Sequence, residues 1–397
     1  MNDCDVAGLT SSELFNHFGF DRIIDRTTTP SIKWQAYEPD VLPMWVADMD
    51  FRSPPAVMQA LHARVEHGIF GYEQDPSELR ELIIERLARL YDWHVNPEAI
   101  VFLPGIVAGF NLATRAFVNA DEGLLVQTPV YMHIVEAARD AGVQSHDMRL
   151  TRQEDGHYTV DMDVFEETIT SQTRLFLLCN PHNPVGRVYM RAELEAMAEI
   201  CLRRKVLICS DEIHSDLIFN DHRHIPIATL SPEVEAQTVT LMAPSKTFNI
   251  AGLHCGYAVI PNADLRRRYR RARGGLVGTA SLLGYTAAEA AYAEGELWLR
   301  TLLKYLEGNR DLMIRYLAEH LPQLKMRAPQ GTYLAWIDCR GAGLAQSPAR
   351  YFLEKGRVAF NEGAAFGPGG EGFIRLNFGC PRELLLDGLE RMRKALA

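Results

Sequence analysis

A chain of 397 residues exceeds the size at which one hydrophobic core usually stops growing, so a large and a small lobe are expected. Hydrophobic residues at 47% and charged residues at 23% are the balance of a soluble globular protein and exclude a disordered or membrane-embedded chain. Lys plus Arg number 41 against 51 for Asp plus Glu, a net charge of −10 that disfavours general attraction to nucleic acid or anionic lipid, so any anion must be held by a local site.

The opening MNDCDVAGLTSSELFNHFGFD carries acids early and lacks a basic stretch followed by an apolar one, and no run of about 18 apolar residues occurs. Neither an export signal nor a membrane span is expected. The seven cysteines, Cys4, Cys179, Cys201, Cys209, Cys255, Cys339 and Cys380, are odd in number, scattered and without C-x-x-C spacing. That pattern argues against a disulfide framework or a zinc cluster and fits a reducing, cytoplasmic setting. From about residue 98 to 260, short apolar runs (AIVFLPG, GLLVQTP, TRLFLLCNP, KVLICSDE, TVTLMAPSK, CGYAVIP) alternate with helix-like stretches at 108–118, 191–204 and 264–273. This order predicts an α/β fold, a mostly parallel sheet covered by helices. Residues 295–321 keep helical apolar spacing up to Pro322 and predict a long helix leaving the large lobe. In the smaller α+β lobe that follows, GTYLAWIDC, GRVAF and GFIRLNFG read as strands and LLLDGLERMRKALA as a closing helix.

Ligands of open α/β sheets bind beyond the carboxyl ends of the strands, and polar residues recur there. Lys246, in Ser245-Lys246-Thr247 after TVTLMAP, is either a paired or snorkelling lysine or a nucleophilic amine whose pKa its surroundings depress. Asp211 ends KVLICSD; it is either a cap or ion-pair partner, or an acid held against the ring nitrogen of a pyridine cofactor. Asn180-Pro181-His182-Asn183-Pro184-Val185-Gly186 is an irregular turn on any reading, and the Asn183 amide is also suited to donate to a cofactor oxygen. Gly105 marks a strand-turn-helix junction able to present N–H groups to a phosphate, and Tyr131 after LLVQTP is an aromatic able to stack on a planar ring.

Taken in order, the Gly-led helix start, the Tyr after TP, NPxNPxG, SDE, SKT and the late arginine of FIRLNFG resemble the fold-type I pyridoxal-5′-phosphate (PLP) enzymes, the aspartate aminotransferase superfamily. The resemblance spans roughly residues 20 to 395. Ser31-Ile32-Lys33-Trp34, the segment from Met44 to Phe51 and Asp211-Glu212-Ile213-His214 are similar to the cystathionine β-lyase or C–S lyase branch. The resemblance implies the three-layer PLP-dependent transferase fold: an N-terminal segment 1–50 associated with the small domain, a large PLP-binding domain 51–294 and a small domain 295–397. It implies Lys246 as the Schiff-base lysine, Asp211 on the pyridine nitrogen, Asn183 on the cofactor oxygen and Tyr131 on the ring face. Gly105, Ile106 and Ser245 would cradle the phosphate, with His214 also against the cofactor. Arg375 would grip the carboxylate of a small amino-acid substrate, with Ala47 beside it, and Tyr72 would reach the cofactor of a neighbouring subunit, which implies a homodimer with shared sites. Two departures weaken the expected phosphate grip: His254 stands where many relatives carry an arginine, and Ala243 where a hydroxyl residue is frequent. The activity implied is C–S β-elimination from cystathionine or cysteine S-conjugates. The competing readings are an aminotransferase and a regulatory homologue without turnover.

Overall fold

The computed structural model describes residues 9–219 and 222–397; Cys4 and the acidic first residues lie outside the described residues. The six other cysteines are buried free thiols. Among the described residues no helix is long and apolar enough to cross a membrane.

The six apolar runs and one more polar segment become a seven-stranded sheet. Its strands are β1 (Ile100–Leu103), β2 (Gly123–Thr128), β3 (Gln144–Arg149), β4 (Thr173–Cys179), β5 (Leu207–Asp211), β6 (Thr238–Met242) and β7 (Gly256–Val259). Every residue of β1, β2, β6 and β7 is buried, as expected where helices cover both faces. The spatial order is β1-β7-β6-β5-β4-β2-β3. Pairing is parallel from β6 through β5, β4 and β2 to β3, whereas β7 runs antiparallel to both β6 and β1. An apolar run does not encode its direction, so the reversal of β7 is a finding of the structure. The polar edge strand β3, QSHDMR, was not among the strand-like runs because it has little apolar content to announce it.

Helix α1 (Ile106–Phe117) starts at the end of β1 and buries Ile106, Phe110, Ala113 and Phe117, the helical spacing that packs one stripe on a sheet. Helix α2 (Met132–Ala141) follows β2, with Tyr131 as its N-terminal cap residue. The long helix α3 (Glu296–His320) buries Trp298, Leu302, Tyr305, Leu306, Met313 and Leu317 and leads to a second sheet. That sheet is fully antiparallel, with β8 (Lys325–Met326), β9 (Leu334–Asp338), β10 (Asn361–Glu362) and β11 (Phe373–Asn377) in the order β8-β9-β11-β10. The strand-like GRVAF does not join it. Val358–Ala359 pairs in parallel with Leu42–Pro43, tying the N-terminal segment to the C-terminal half.

Candidate active site

The C-terminal ends of β4, β5 and β6 open on one cavity of about 310 Å³. Parallel pairing sets Cys179 beside Asp211 and Asp211 beside Leu241, so the turn after β4, the end of β5 and the start of the next segment share one edge. After β6 the chain makes one helical turn, Pro244–Thr247, and that turn brings Lys246 to the cavity wall.

The Lys246 amine donates to the Ala47 carbonyl oxygen at 2.7 Å and has no carboxylate within ion-pair distance among the described residues. Burial, aided by the nearby Arg375 charge, pushes its pKa down to about 8. Asp211 is buried and its Oδ1 accepts the Ile213 N–H at 3.1 Å. Burial pushes this carboxyl up to about 7, against the opposing effects of that N–H and of Lys246. An acid so placed is short of positive partners, which is what a protonated ring nitrogen would supply.

Arg375, on β11, is 3% exposed. Its Nη1 donates to Asn183 Oδ1 at 3.0 Å, and Nη2 donates to the Trp45 carbonyl at 3.0 Å and to Asn361 Oδ1 at 2.6 Å. Its guanidinium carbon lies 4.9 Å from the centre of the Phe366 ring. Nε is buried without a hydrogen-bond partner, and no carboxylate pairs with this cation among the described residues. Burial accordingly pushes it down to about 10. A buried, uncompensated cation is costly unless an anion arrives, so the geometry suits a carboxylate.

Asn183, whose Oδ1 is committed to Arg375, keeps its NH2 for a ligand in the same cavity. Tyr131 lines the wall, and burial raises its hydroxyl to about 12, so it stays protonated. His214 is buried and driven down to about 3 by burial and by the charges of Lys246 and Arg375. It is a neutral imidazole whose Nδ1 is an orphaned polar atom. Ile106 and Ser245 line the cavity, and Gly105 caps α1 with nothing within 4 Å of where a Cβ would stand. The first N–H groups of a helix lack intrahelical acceptors, so this open corner suits a phosphate.

Ala47 belongs to a strap, Met44 to Phe51, pinned by charge. Arg26 donates to Asp48 Oδ2 and Asp50 Oδ1, both at 2.7 Å, and Lys33 Nζ reaches Asp50 Oδ2 at 2.6 Å. Asn249 bonds the strap at Met49 and Phe51, and Asn377 at Val46 and Asp48. Tyr333 donates its hydroxyl to the same Ala47 carbonyl at 2.8 Å and meets the His214 ring edge-on, centroids 6.0 Å apart.

Lys246, Asp211, Asn183, Tyr131, His214, Arg375, Ala47, Ile106 and Ser245 are thus brought together. Tyr72 is not: it is fully exposed and outside the cavity. His254 is exposed in a left-handed conformation, φ 56°, and does not line the cavity, while Ala243 is buried against Gly256. Among the described residues, the α1 N–H groups and Ser245 are what this corner of the cavity offers to a phosphate. Sequence reasoning assigned no role to Asn361 and Tyr333, and it placed Trp45 in the Met44–Phe51 motif without foreseeing that its carbonyl would meet Arg375. The open corner at Gly105, the orphaned His214 Nδ1 and the under-partnered Asp211 fit PLP.

The aminotransferase class I and II family pattern matches residues 39–392. The chain is 40% identical to the cystathionine β-lyase PatB of Bacillus subtilis (strain 168) over 95% of its own length and 100% of the relative's. The crystal structure of Treponema denticola cystalysin, which contains a pyridoxal 5′-phosphate cofactor, superposes with a TM-score of 0.91 at 31% identity, covering 95% and 98% of the two chains. The PLP-bound C–S lyase of Staphylococcus hominis gives 0.90 at 32% identity, with the same shares covered.

Proposed function

The chain belongs to the class I and II aminotransferase family, in its cystathionine β-lyase branch, and from that premise we propose that it is a PLP-dependent C–S β-lyase. Its substrates are cystathionine or related cysteine S-conjugates, and its products a thiol, pyruvate and ammonia. The observation that carries the reading is Arg375, a buried guanidinium without a carboxylate partner among the described residues, facing the same cavity as an amine of depressed pKa and an under-partnered acid.

Lys246, Asp211, Asn183, Tyr131 and His214 hold the cofactor, with Gly105, Ile106 and Ser245 on its phosphate. Bound there, PLP supplies a sink for the electron pair left on the substrate Cα. Arg375 holds the substrate carboxylate, and Ala47 packs beside it. The Lys246 amine, with a pKa of about 8, has an appreciable neutral fraction near pH 7 and takes the Cα proton. Asp211 keeps a proton on the atom it faces. His214, neutral and buried, adds no competing charge. A thiolate on Cβ then departs and takes up a proton as the thiol, and the three-carbon enamine left behind is hydrolysed by one water to pyruvate and ammonia.

Residues 51–294 serve as the cofactor domain and 295–397 as the small domain, and of the N-terminal segment 1–50 the described residues 9–50 are associated with the latter. Tyr72 completes the site of a second copy in a homodimer. Ile69 at 67%, Phe70 at 57% and Leu276 at 86% exposure are large apolar side chains left to solvent, which favours burial against a second copy. The buried free thiols among the described residues support a cytoplasmic location.

With L-cystathionine and no keto acid, the holoenzyme is expected to release homocysteine, pyruvate and ammonia in equal amounts. Strict dependence on added 2-oxoglutarate or pyruvate, with no thiol formed, would replace the lyase by a transaminase.

A further inference from the structure

Away from the active site, a second concavity of about 410 Å³ lies beside the end of β3 and the small sheet. Arg149 from the last position of β3, Arg152 just beyond it and Arg340 after β9 line it, together with Phe373 of β11. The guanidinium carbons of Arg340 and Arg152 lie 4.9 and 5.7 Å from the centre of the Phe373 ring. Asp338 stands between these two arginines. It accepts Arg340 Nε at 2.8 Å and Nη2 at 2.6 Å and lies 3.2 Å from Arg152 Nη2. The nearby Glu371 is engaged by the Gly369 N–H at 3.0 Å. Arg149 is exposed and has no carboxylate within ion-pair distance among the described residues.

Three guanidiniums thus share one paired carboxylate in a chain whose net charge is −10. Gathering like charges costs free energy that an arriving anion relieves, and the planar fork of arginine matches phosphate and carboxylate oxygens two at a time. Arg149 Nε lies close over Gly369, at φ 92°, where a Cβ would come within 2.9 Å of it. The concavity is also large enough for more than a single ion.

We propose that this concavity is a second binding site, for a small multivalent anion gripped by Arg149, Arg152 and Arg340. Phosphate esters and polycarboxylates share that chemistry. The site is close to the first one: Phe373 stacks on Trp336 at 5.0 Å, Trp336 meets Phe366 at 5.4 Å, and Arg375 covers Phe366. Its test must therefore separate the two cationic centres.

Calorimetric titration of the PLP-loaded enzyme at low salt, with sodium pyrophosphate and separately with citrate, reads the binding directly. Saturable binding of at least one anion, one per chain, is expected, weakened about tenfold or more in both Arg149→Gln and Arg340→Gln and retained in Arg375→Lys. Preference for pyrophosphate assigns the phosphate-ester class, and preference for citrate the carboxylate class. Because Arg149 leaves no partner behind, Arg149→Gln tests the site without disturbing Asp338. The proposal is overturned if neither anion gives saturable heat, if both glutamine variants bind as the parent does, or if Arg375→Lys abolishes binding.

Discussion

Replacing Lys33 by Met probes how the strap is held. Lys33 and Asp50 are 1% and 4% exposed and meet at 2.6 Å, so the variant buries a carboxylate that has lost its nearest cation. Breaking a buried pair from one side costs about 3–5 kcal/mol. Arg26 at 2.7 Å and the Trp34 indole N–H at 2.9 Å still serve Asp50, which argues for the lower end, about 3 kcal/mol. For a chain of 397 residues, whose unfolding entropy is about 0.8 kcal/mol/K, that is a fall in Tm of about 3–4 °C. Thermal melts of the parent, Lys33→Met, Asp50→Asn and the double variant give the coupling. The double variant should lose clearly less than the sum of the two single losses, because the second change removes the charge that the first left stranded. The sign with pH follows. Burial works to raise the Asp50 carboxyl, but Lys33 and Arg26 together hold it below its ordinary 3.8, so this stabilisation is complete above that value and fades as pH falls through the lowered one. Strictly additive losses, or a Tm change under about 2 °C, would refute the account of a charge-pinned strap.

Asp211→Asn removes a charge-assisted partner from a buried site and should slow Cα–H cleavage about 10- to 100-fold, read by the isotope effect on an α-deuterated substrate. Arg375→Lys replaces a fixed fork by a point charge and should lower kcat/KM about a hundredfold, with cofactor content unchanged. Because the Lys246 amine is neutral above about 8, apoenzyme should capture PLP about tenfold faster at pH 9 than at pH 7 and then level off, followed by absorbance. A rate still climbing steeply at pH 10 would indicate an ordinary lysine. Mixing inactive Tyr72→Phe with inactive Lys246→Ala should restore some activity if subunits exchange and Tyr72 serves the neighbouring site.

Lys246, Asp211 and Asn183 each follow an apolar run, but taken singly each also had an ordinary structural reading as an ion pair, a cap or a turn; their order along the chain, and the resemblance it carries, is what singled them out. Arg375 was legible only through the resemblance; its isolation from any carboxylate of the described residues is a three-dimensional fact. The roles of Trp45, Asn361 and Tyr333 escaped because these residues act through a backbone carbonyl, a side-chain acceptor and a hydroxyl contributed from distant parts of the chain. The pairing of Leu42–Pro43 with Val358–Ala359 was equally hidden, since two-residue strands carry no periodicity to read. Lys33 stood in a recognised motif, yet nothing in the order of residues announced that its partner is Asp50.

The strap constrains anyone who would retune this cavity. Its carbonyls at Trp45 and Ala47 serve Arg375 and Lys246, so one short length of main chain sets the position of the substrate's anchor and of the reactive amine. Substitutions that displace it in order to admit a bulkier substituent will misalign both at once, and a gain in fit will come with a loss in turnover. Diversity is better introduced at Val107, Met132 and His133, which line the same space from α1 and α2 and make none of those hydrogen bonds.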